Sequence, residues 1–187
     1  MATRISRLPD YLETEELATL LAAADPRQRL YFLLCCRAGL RSFEACKLRH
    51  EDITWRDGRP LHLRLIGKGN KEAMLPLAHS IRALLPSFSD PAACGWLFPG
   101  RWPGEHLSPR RAREWIEETC GRAGLPRHKA HLHALRHSFA THLLRQGVAL
   151  TEVRELMRHS NIATTSIYLH TTPERLQAAV DALDSAG

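Results

Sequence analysis

The sequence lacks the segments that would carry a chain into or across a membrane. No apolar run approaches the ~20 residues that are needed to span a bilayer. Residues 1–16 contain no apolar stretch of the kind that a secretory signal requires. We therefore expect no membrane association and a cytoplasmic location.

Paired cysteines are also lacking. The five cysteines are odd in number and no two of them are spaced as Cys-x-x-Cys, so the sequence predicts neither a disulfide framework nor a zinc knuckle. Buried, reduced thiols are the expectation for such cysteines in a cytoplasmic protein.

Positive charge is in excess, with 26 Lys and Arg against 20 Asp and Glu and a formal net charge of +6. Such a surplus favours an anionic partner, either nucleic acid or an anionic membrane surface, although many globular proteins carry it. The apolar share of 44% is ordinary for a packed core, and 187 residues suit one domain or at most two small ones.

Helical periodicity covers most of the chain. Leu17, Leu20 and Leu21 recur at helical spacing after Thr14, which we expect to cap the first helix. A second apolar helix should end near Gly39, since glycine is the usual stop. The predicted helices are 14–24, 28–38, Ser42–Leu48, about 77–86, 108–123, 132–146, 150–158, 161–168 and 173–183.

The periodicity changes to that of a strand in one region. Asp57-Gly58 is a hairpin turn signal, and Leu61, Leu63 and Leu65 then alternate with polar residues. A second turn at 67–70 leads into a short strand through Leu75. The predicted fold is therefore mainly α with a small antiparallel β-sheet of two or three strands (α+β).

Three segments hold side chains that could act on a phosphate. Arg41 precedes Glu44 by three residues, so the carboxylate can orient the guanidinium. His133 and Arg136 are also three residues apart, and His159 precedes Tyr168 by nine. Arginine suits a phosphate clamp, because its planar fork donates two hydrogen bonds and stays charged.

Each segment alone also has an ordinary interpretation. Arg41 and Glu44 could form a surface ion pair of little consequence, and Tyr168 could be a half-buried amphipathic side chain. The histidines around His133 and His137 could indicate zinc, but no Glu lies between them as His-Glu-x-x-His requires and no cysteine is close.

Taken together, the segments resemble the tyrosine recombinase (phage integrase) family closely. The motifs are G-L-R-x-x-E at 39–44, G-K-G-N-K at 67–71, H-x-L-R-H-S-F-A-T-H-L-L at 133–144 and H-S-x-I-x-T-T-x-x-Y at 159–168. The resemblance extends from Leu8 to about Leu183. It implies the catalytic-domain fold of that family and a site-specific recombinase acting on double-stranded DNA, for integration, inversion or resolution.

The resemblance also implies a role for each site residue. Arg41 and Arg136 would clamp the scissile phosphate, His159 would hydrogen-bond one of its oxygens, and Glu44 would support the site. The remaining roles concern protons and the covalent step. Lys68 would be the general acid for the leaving 5′ oxygen, and His133 would help to take the proton of Tyr168. Tyr168 would form a 3′-phosphotyrosyl intermediate. No cofactor is expected, neither ATP nor a metal, because the exchange of phosphodiesters conserves bond energy.

The sequence departs from the family pattern in two ways. Met157-Arg158 stands where the family usually has Leu-Gly, a change that alters the local backbone or adds a DNA contact. The resemblance also implies one catalytic domain over residues 1–187, with its core at 8–183, and no N-terminal core-binding domain. Such a chain is either a naturally short recombinase, similar in size to fimbrial phase-variation invertases, or a fragment.

Two other functions stay open. The first is a type IB topoisomerase-like nicking and closing enzyme, although the H-x-L-R-H motif has the form found in bacterial integrases. The second is a non-catalytic DNA-binding relative, which we would expect to have lost a clamp residue or the nucleophile.

The helix predicted over 173–183 bears on assembly. Its apolar stripe is formed by Leu176, Ala179, Val180 and Leu183. The stripe could pack on its own domain or, as the resemblance implies, dock on a neighbouring subunit. The second alternative predicts a homo-tetramer on paired DNA sites that is a monomer in solution, and it leaves any accessory protein unidentified.

Overall fold

A computed structural model describes residues 10–66 and 72–158. In these two ranges the chain forms seven α-helices and one three-stranded antiparallel sheet. The helices are α1 (Thr14–Ala23), α2 (Pro26–Arg37), α3 (Ser42–Cys46), α4 (His79–Leu84), α5 (Pro109–Arg122), α6 (Leu132–Arg145) and α7 (Leu150–Leu156). The strands are β1 (Ile53–Arg56), β2 (Arg59–Ile66) and β3 (Glu72–Pro76). The mainly helical fold with a small sheet is thus confirmed, while the helices predicted at 161–168 and 173–183 lie outside the described residues.

Helix α2 is the centre of the main core. Every residue from Leu30 to Cys36 is buried, as expected of a helix that is apolar on all sides. It packs against α1, α3, α4 and α6. The ring of Tyr31 contacts Phe98 and Trp115 edge-on, at centroid distances of 5.4 and 5.8 Å. The end of α2, and hence the start of the segment that carries Arg41, is fixed by this core.

Most helix ends agree with their sequence signals. The side chain of Asp25 accepts a hydrogen bond from the N–H of Gln28 at the start of α2, and Gly39 follows the helix with φ +65°. The first helix differs from the prediction, because Thr14 is its first residue and not its cap. Glu13 occupies the cap position, where its N–H donates to the Glu16 carboxylate at 2.8 Å.

The sheet is a simple meander in the order β1-β2-β3. Asp57 and Gly58 both have positive φ, 51° and 71°, as a type I′ turn requires. Strand β2 then pairs with β3 from His62 opposite Pro76 to Ile66 opposite Glu72. Lys68 belongs to the connection between these two strands, which lies outside the described residues.

A smaller apolar cluster joins α7 to the second half of α6. It consists of Phe139, Ala140 and Leu144 from α6 with Val153 and Met157 from the α7 segment. Because Met157 is anchored here, Met157 and Arg158 lie close to the segment that follows α2, where Gly39 and Arg41 are found.

The cysteines are placed largely as predicted. Cys35, Cys36, Cys46 and Cys120 are buried, whereas Cys94 is exposed. Burial raises the pKa of Cys36 to about 12 and that of Cys120 to about 11, so both thiols stay protonated. In the part of the chain that the structure describes, no helix is long and apolar enough to cross a membrane.

Candidate active site

Arg41 occupies the cap position at the start of α3, two residues after the glycine that ends α2. Its N–H donates to Glu44 Oε2 at 2.8 Å and its Nη1 donates to Glu44 Oε1 at 3.0 Å. A single carboxylate therefore holds both the backbone and the guanidinium of Arg41, at the spacing that the sequence indicated. The side chain of Arg41 is 31% exposed and can still be reached from solvent.

Arg136 is held in a different way, inside the fold. It lies in the second turn of α6, and it is only 6% exposed. Its Nη1 donates to the carbonyl of Gly39 and its Nη2 donates to the carbonyl of Met157. These acceptors belong to segments that are distant in sequence, so the tertiary fold fixes the orientation of this guanidinium.

The two arginines meet at one stretch of backbone. Arg136 binds the carbonyl of Met157, and Arg41 Nη2 donates to the next carbonyl, that of Arg158, at 3.3 Å. The other carbonyl that Arg136 binds belongs to Gly39, two residues before Arg41. The structure thus brings together the two side chains that the sequence assigned to a clamp. Neighbouring guanidiniums create the positive field that would attract a phosphate.

Arg158 adds a third guanidinium to this group. Its backbone has φ +52°, the left-handed region that favours glycine and that costs other residues about 1–2 kcal/mol. Its Nη2 donates to Glu44 Oε2, and its side chain is only 14% exposed. Burial lowers the pKa of the Arg158 guanidinium, as does the charge of Arg41, while Glu44 opposes the shift. The replacement of the usual glycine therefore keeps a glycine-like backbone and directs the new side chain to Glu44.

His133 lies in the first turn of α6 and is exposed. Although it is three residues before Arg136, the two side chains differ in environment, because the guanidinium is buried and the imidazole is accessible. The ring centroids of His133 and His137 are 6.5 Å apart. An accessible imidazole that lies about one helical turn before Arg136 is available to a substrate that approaches from solvent.

The other three predicted site residues, Lys68, His159 and Tyr168, lie outside the described residues. The described part of the site therefore contains Arg41, Glu44, His133 and Arg136. Sequence reasoning missed the carbonyls of Gly39 and Met157, because a backbone acceptor has no residue-type signal. Ser138, which belongs to the motif at 133–144, supports the fold: its buried Oγ accepts from the N–H of Leu12 at 2.8 Å and donates to the Ala134 carbonyl at 2.8 Å.

Comparison with known proteins identifies the family of the chain. Residues 10–175 match the phage integrase family, and the chain belongs to that family. A tyrosine recombinase of Thermosipho africanus is 36% identical over 182 residues, which cover 95% of this chain and 62% of the relative. The tyrosine recombinase XerD of Caulobacter vibrioides is 38% identical over 185 residues, covering 90% and 60%.

The fold has solved counterparts as well. The XerH site-specific recombinase, in a pre-cleavage complex with its difH substrate, superimposes with a TM-score of 0.77 at 30% identity. That match covers 95% of this chain and 55% of XerH. The fold expected from the sequence motifs is therefore confirmed. The chain spans about 60% of the length of the two relatives named above.

Proposed function

We propose that this chain is the catalytic domain of a tyrosine site-specific recombinase, which cuts and rejoins double-stranded DNA. One observation carries the proposal. Arg136 and Arg41 donate hydrogen bonds to two successive main-chain carbonyls, those of Met157 and Arg158, and these bonds orient the two guanidiniums beside one another. The names of its relatives, and the difH substrate bound by the XerH site-specific recombinase, support the same function. A cytoplasmic location stays a prediction from the sequence.

In the proposed reaction, the phenol oxygen of Tyr168 attacks the scissile phosphorus. The bond from phosphorus to the 5′ oxygen breaks, and a 3′-phosphotyrosyl bond forms. His133 helps to take the phenol proton, and Lys68 gives a proton to the departing 5′ oxygen. Attack by a 5′ hydroxyl reverses these steps, so that one phosphodiester is exchanged for another without ATP.

The clamp stabilises the charge that develops on the phosphate. Arg41 and Arg136, with His159, would donate to the non-bridging oxygens as these oxygens become more negative. Preorganised donors act strongly here because they need no reorientation during the reaction. The carbonyl and carboxylate partners of both arginines supply this preorganisation.

The nucleophile is tested by Tyr168→Phe, which removes the hydroxyl oxygen and retains the ring. We expect no covalent protein–DNA adduct on a nicked suicide substrate, with nearly unchanged binding in a gel-shift assay. The wild-type chain in the same assay with EDTA is the control, and it should still form the adduct, because cationic side chains replace the metal used elsewhere. An adduct in Tyr168→Phe would exclude Tyr168, and loss of wild-type cleavage in EDTA that Mg²⁺ restores would exclude metal-free chemistry.

We further propose that the chain acts as a tetramer on paired DNA sites, exchanging the helix predicted over 173–183 between subunits. Removing the residues after Thr172 should then abolish synapsis and recombination while binding to a single site persists, as measured by native gel shift with one and two sites. A truncated chain that still forms synaptic tetramers would show that the helix is not exchanged.

A further inference from the structure

Glu44 is shared by two arginines in the described structure. Its Oε1 accepts from Arg41 Nη1, and its Oε2 accepts from the N–H of Arg41 and from Arg158 Nη2. The side chains of Glu44 and Arg158 are 16% and 14% exposed. Water therefore screens this pair less than it screens a surface ion pair, and the contact constrains the carboxylate more strongly.

Stability alone does not account for an arginine at position 158. The left-handed backbone at φ +52° favours glycine. Within residues 10–66 and 72–158, Arg158 Nη1 is buried and has no hydrogen-bond partner, which also destabilises the folded state. Glycine would avoid both penalties and would keep the carbonyl that Arg41 binds. What arginine adds is a second cation on Glu44.

A direct DNA contact accounts for the side chain less well. The guanidinium is turned towards Glu44 and is largely buried, whereas a phosphate contact requires donors that face solvent. Arg158 also binds Arg41 from the other side, since its carbonyl accepts from Arg41 Nη2. Arg158 thus acts on Arg41 in two ways, directly through its carbonyl and indirectly through the contact of its side chain with Glu44.

We propose that Arg158 is a positioning residue that fixes the Arg41 guanidinium through Glu44. The effect on cleavage rests on the proposed function, but the effect on Arg41 does not. With Arg158 in place, Glu44 is held by two cations and keeps Arg41 in one orientation. Without it, the carboxylate can turn, and Arg41 samples orientations that do not match a phosphate.

Three variants separate positioning from backbone strain. Arg158→Gly removes the guanidinium and relieves the strain, Arg158→Ala removes the guanidinium and keeps the strain, and Arg158→Lys keeps a charge without the planar fork. Arg154→Ala, on the neighbouring helix, is the matched control for loss of one positive charge. The mobility of Arg41 is read from the ¹H–¹⁵N heteronuclear NOE of its Nε–Hε group, assigned with Arg41→Lys.

The expected result is a lower Arg41 NOE in both Arg158→Gly and Arg158→Ala, an intermediate value in Arg158→Lys, and the wild-type value in Arg154→Ala. Single-turnover cleavage of a suicide substrate should slow by about tenfold to a hundredfold in Arg158→Gly, because a misplaced group loses much of its effect on the rate. Its affinity for DNA should change by less than about twofold, since the guanidinium is bound to Glu44 and largely buried and so is not placed to contact a phosphate.

If the Arg41 NOE in Arg158→Gly equals that of the wild type, the proposal is overturned, regardless of the cleavage rates. A second result would also overturn it: cleavage that is slow in Arg158→Ala but returns to the wild-type rate in the more stable Arg158→Gly. Only the backbone strain would then have mattered. If Arg41 becomes mobile as expected but the wild-type chain forms no covalent adduct, the proposed function fails and the positioning role of Arg158 stands.

Discussion

The two arginines of the proposed clamp are held by different kinds of partner. Arg136 is 6% exposed and binds the main-chain carbonyls of Gly39 and Met157. Arg41 has a side chain that is 31% exposed, and it is held mainly by the carboxylate of Glu44, three residues away. One guanidinium is therefore part of the packing of the domain, and the other is held mainly by a local motif, with one further hydrogen bond to the carbonyl of Arg158.

This difference separates the effects of the two residues on the fold. Removing a buried donor leaves its acceptors without a partner in a region that water does not reach, and that is costly. Removing a half-exposed donor lets water take its place. Both arginines can contribute equally to stabilising the charge on a phosphate, while only Arg136 should contribute strongly to the free energy of unfolding.

The largest expected effect is that of Arg136→Ala. Removing one preorganised donor typically slows the chemical step by about 10²–10³-fold, and we expect this in both Arg136→Ala and Arg41→Ala. Arg136→Ala should also lower the free energy of unfolding by about 1–3 kcal/mol, because the carbonyls of Gly39 and Met157 lose a donor. Single-turnover cleavage and urea unfolding measure the two effects.

Arg41→Ala is the matched control for that comparison. Its unfolding free energy should stay within about 1 kcal/mol of the wild type, because a half-exposed ion pair contributes little. Equal destabilisation by the two alanine variants would contradict the contrast between them, and cleavage near the wild-type rate in either would remove that residue from the clamp.

The next effect is that of Gly39→Ala, which disturbs the residue that connects the two arginines. Gly39 has φ +65°, and a Cβ atom there would lie 2.6 Å from two ring carbons of Phe139. The backbone strain and the overpacking together should lower the unfolding free energy by about 2–4 kcal/mol. Cleavage should fall as well, since the carbonyl of Gly39 orients Arg136.

A second substitution distinguishes the contact from the strain. Phe139→Leu removes the ring carbons that the new Cβ would meet, so the double variant should recover part of the stability lost in Gly39→Ala. Strictly additive losses in thermal or urea unfolding would show that the ring is not the obstacle.

The same contrast explains which features the sequence could predict. Local signals were sufficient for the end of α2 near Gly39, for the Asp57-Gly58 turn, and for the contact between Arg41 and Glu44. The short 3-10 helices at His50–Asp52 and Arg127–Lys129 carry no clear periodicity, and they were not expected.

Long-range partners explain most of what the sequence could not predict. The acceptors of Arg136 lie 97 and 21 positions away, and Glu44 lies 114 positions from Arg158. Motif order indicated which residues belong to one site, but only packing shows which carbonyl or carboxylate each of them meets. The roles of all the site residues stay predictions, those of Arg41, Glu44, His133 and Arg136 as well as those of Lys68, His159 and Tyr168, and so does the single catalytic domain.

The smallest effect concerns His142, which is buried on α6 as Arg136 is. Its imidazole can be neutral, whereas the guanidinium of Arg136 stays charged. It is 9% exposed, and in the described residues its Nε2 is buried without a hydrogen-bond partner. Burial lowers its pKa below 6.5, and the charges of Arg37 and Arg145 lower it further, against opposition from Glu13 and the backbone of Leu12. The folded state therefore keeps the imidazole neutral to a lower pH than the unfolded chain does.

A lowered histidine pKa sets the sign of the pH dependence. The unfolded chain takes up the proton first as the pH falls through about 6.5, so stability is complete above that pH and declines below it. Urea unfolding at intervals from roughly pH 7.5 to 5.5 should show this decline in the wild type and a flatter profile in His142→Gln. The pKa values of Glu13 and Glu16 are lowered from 4.5, so these carboxylates titrate below this pH range and do not contribute to the decline. His128→Gln, at an exposed histidine, is the matched control, and a profile in His142→Gln as steep as in the wild type would show that the buried imidazole is not the group responsible.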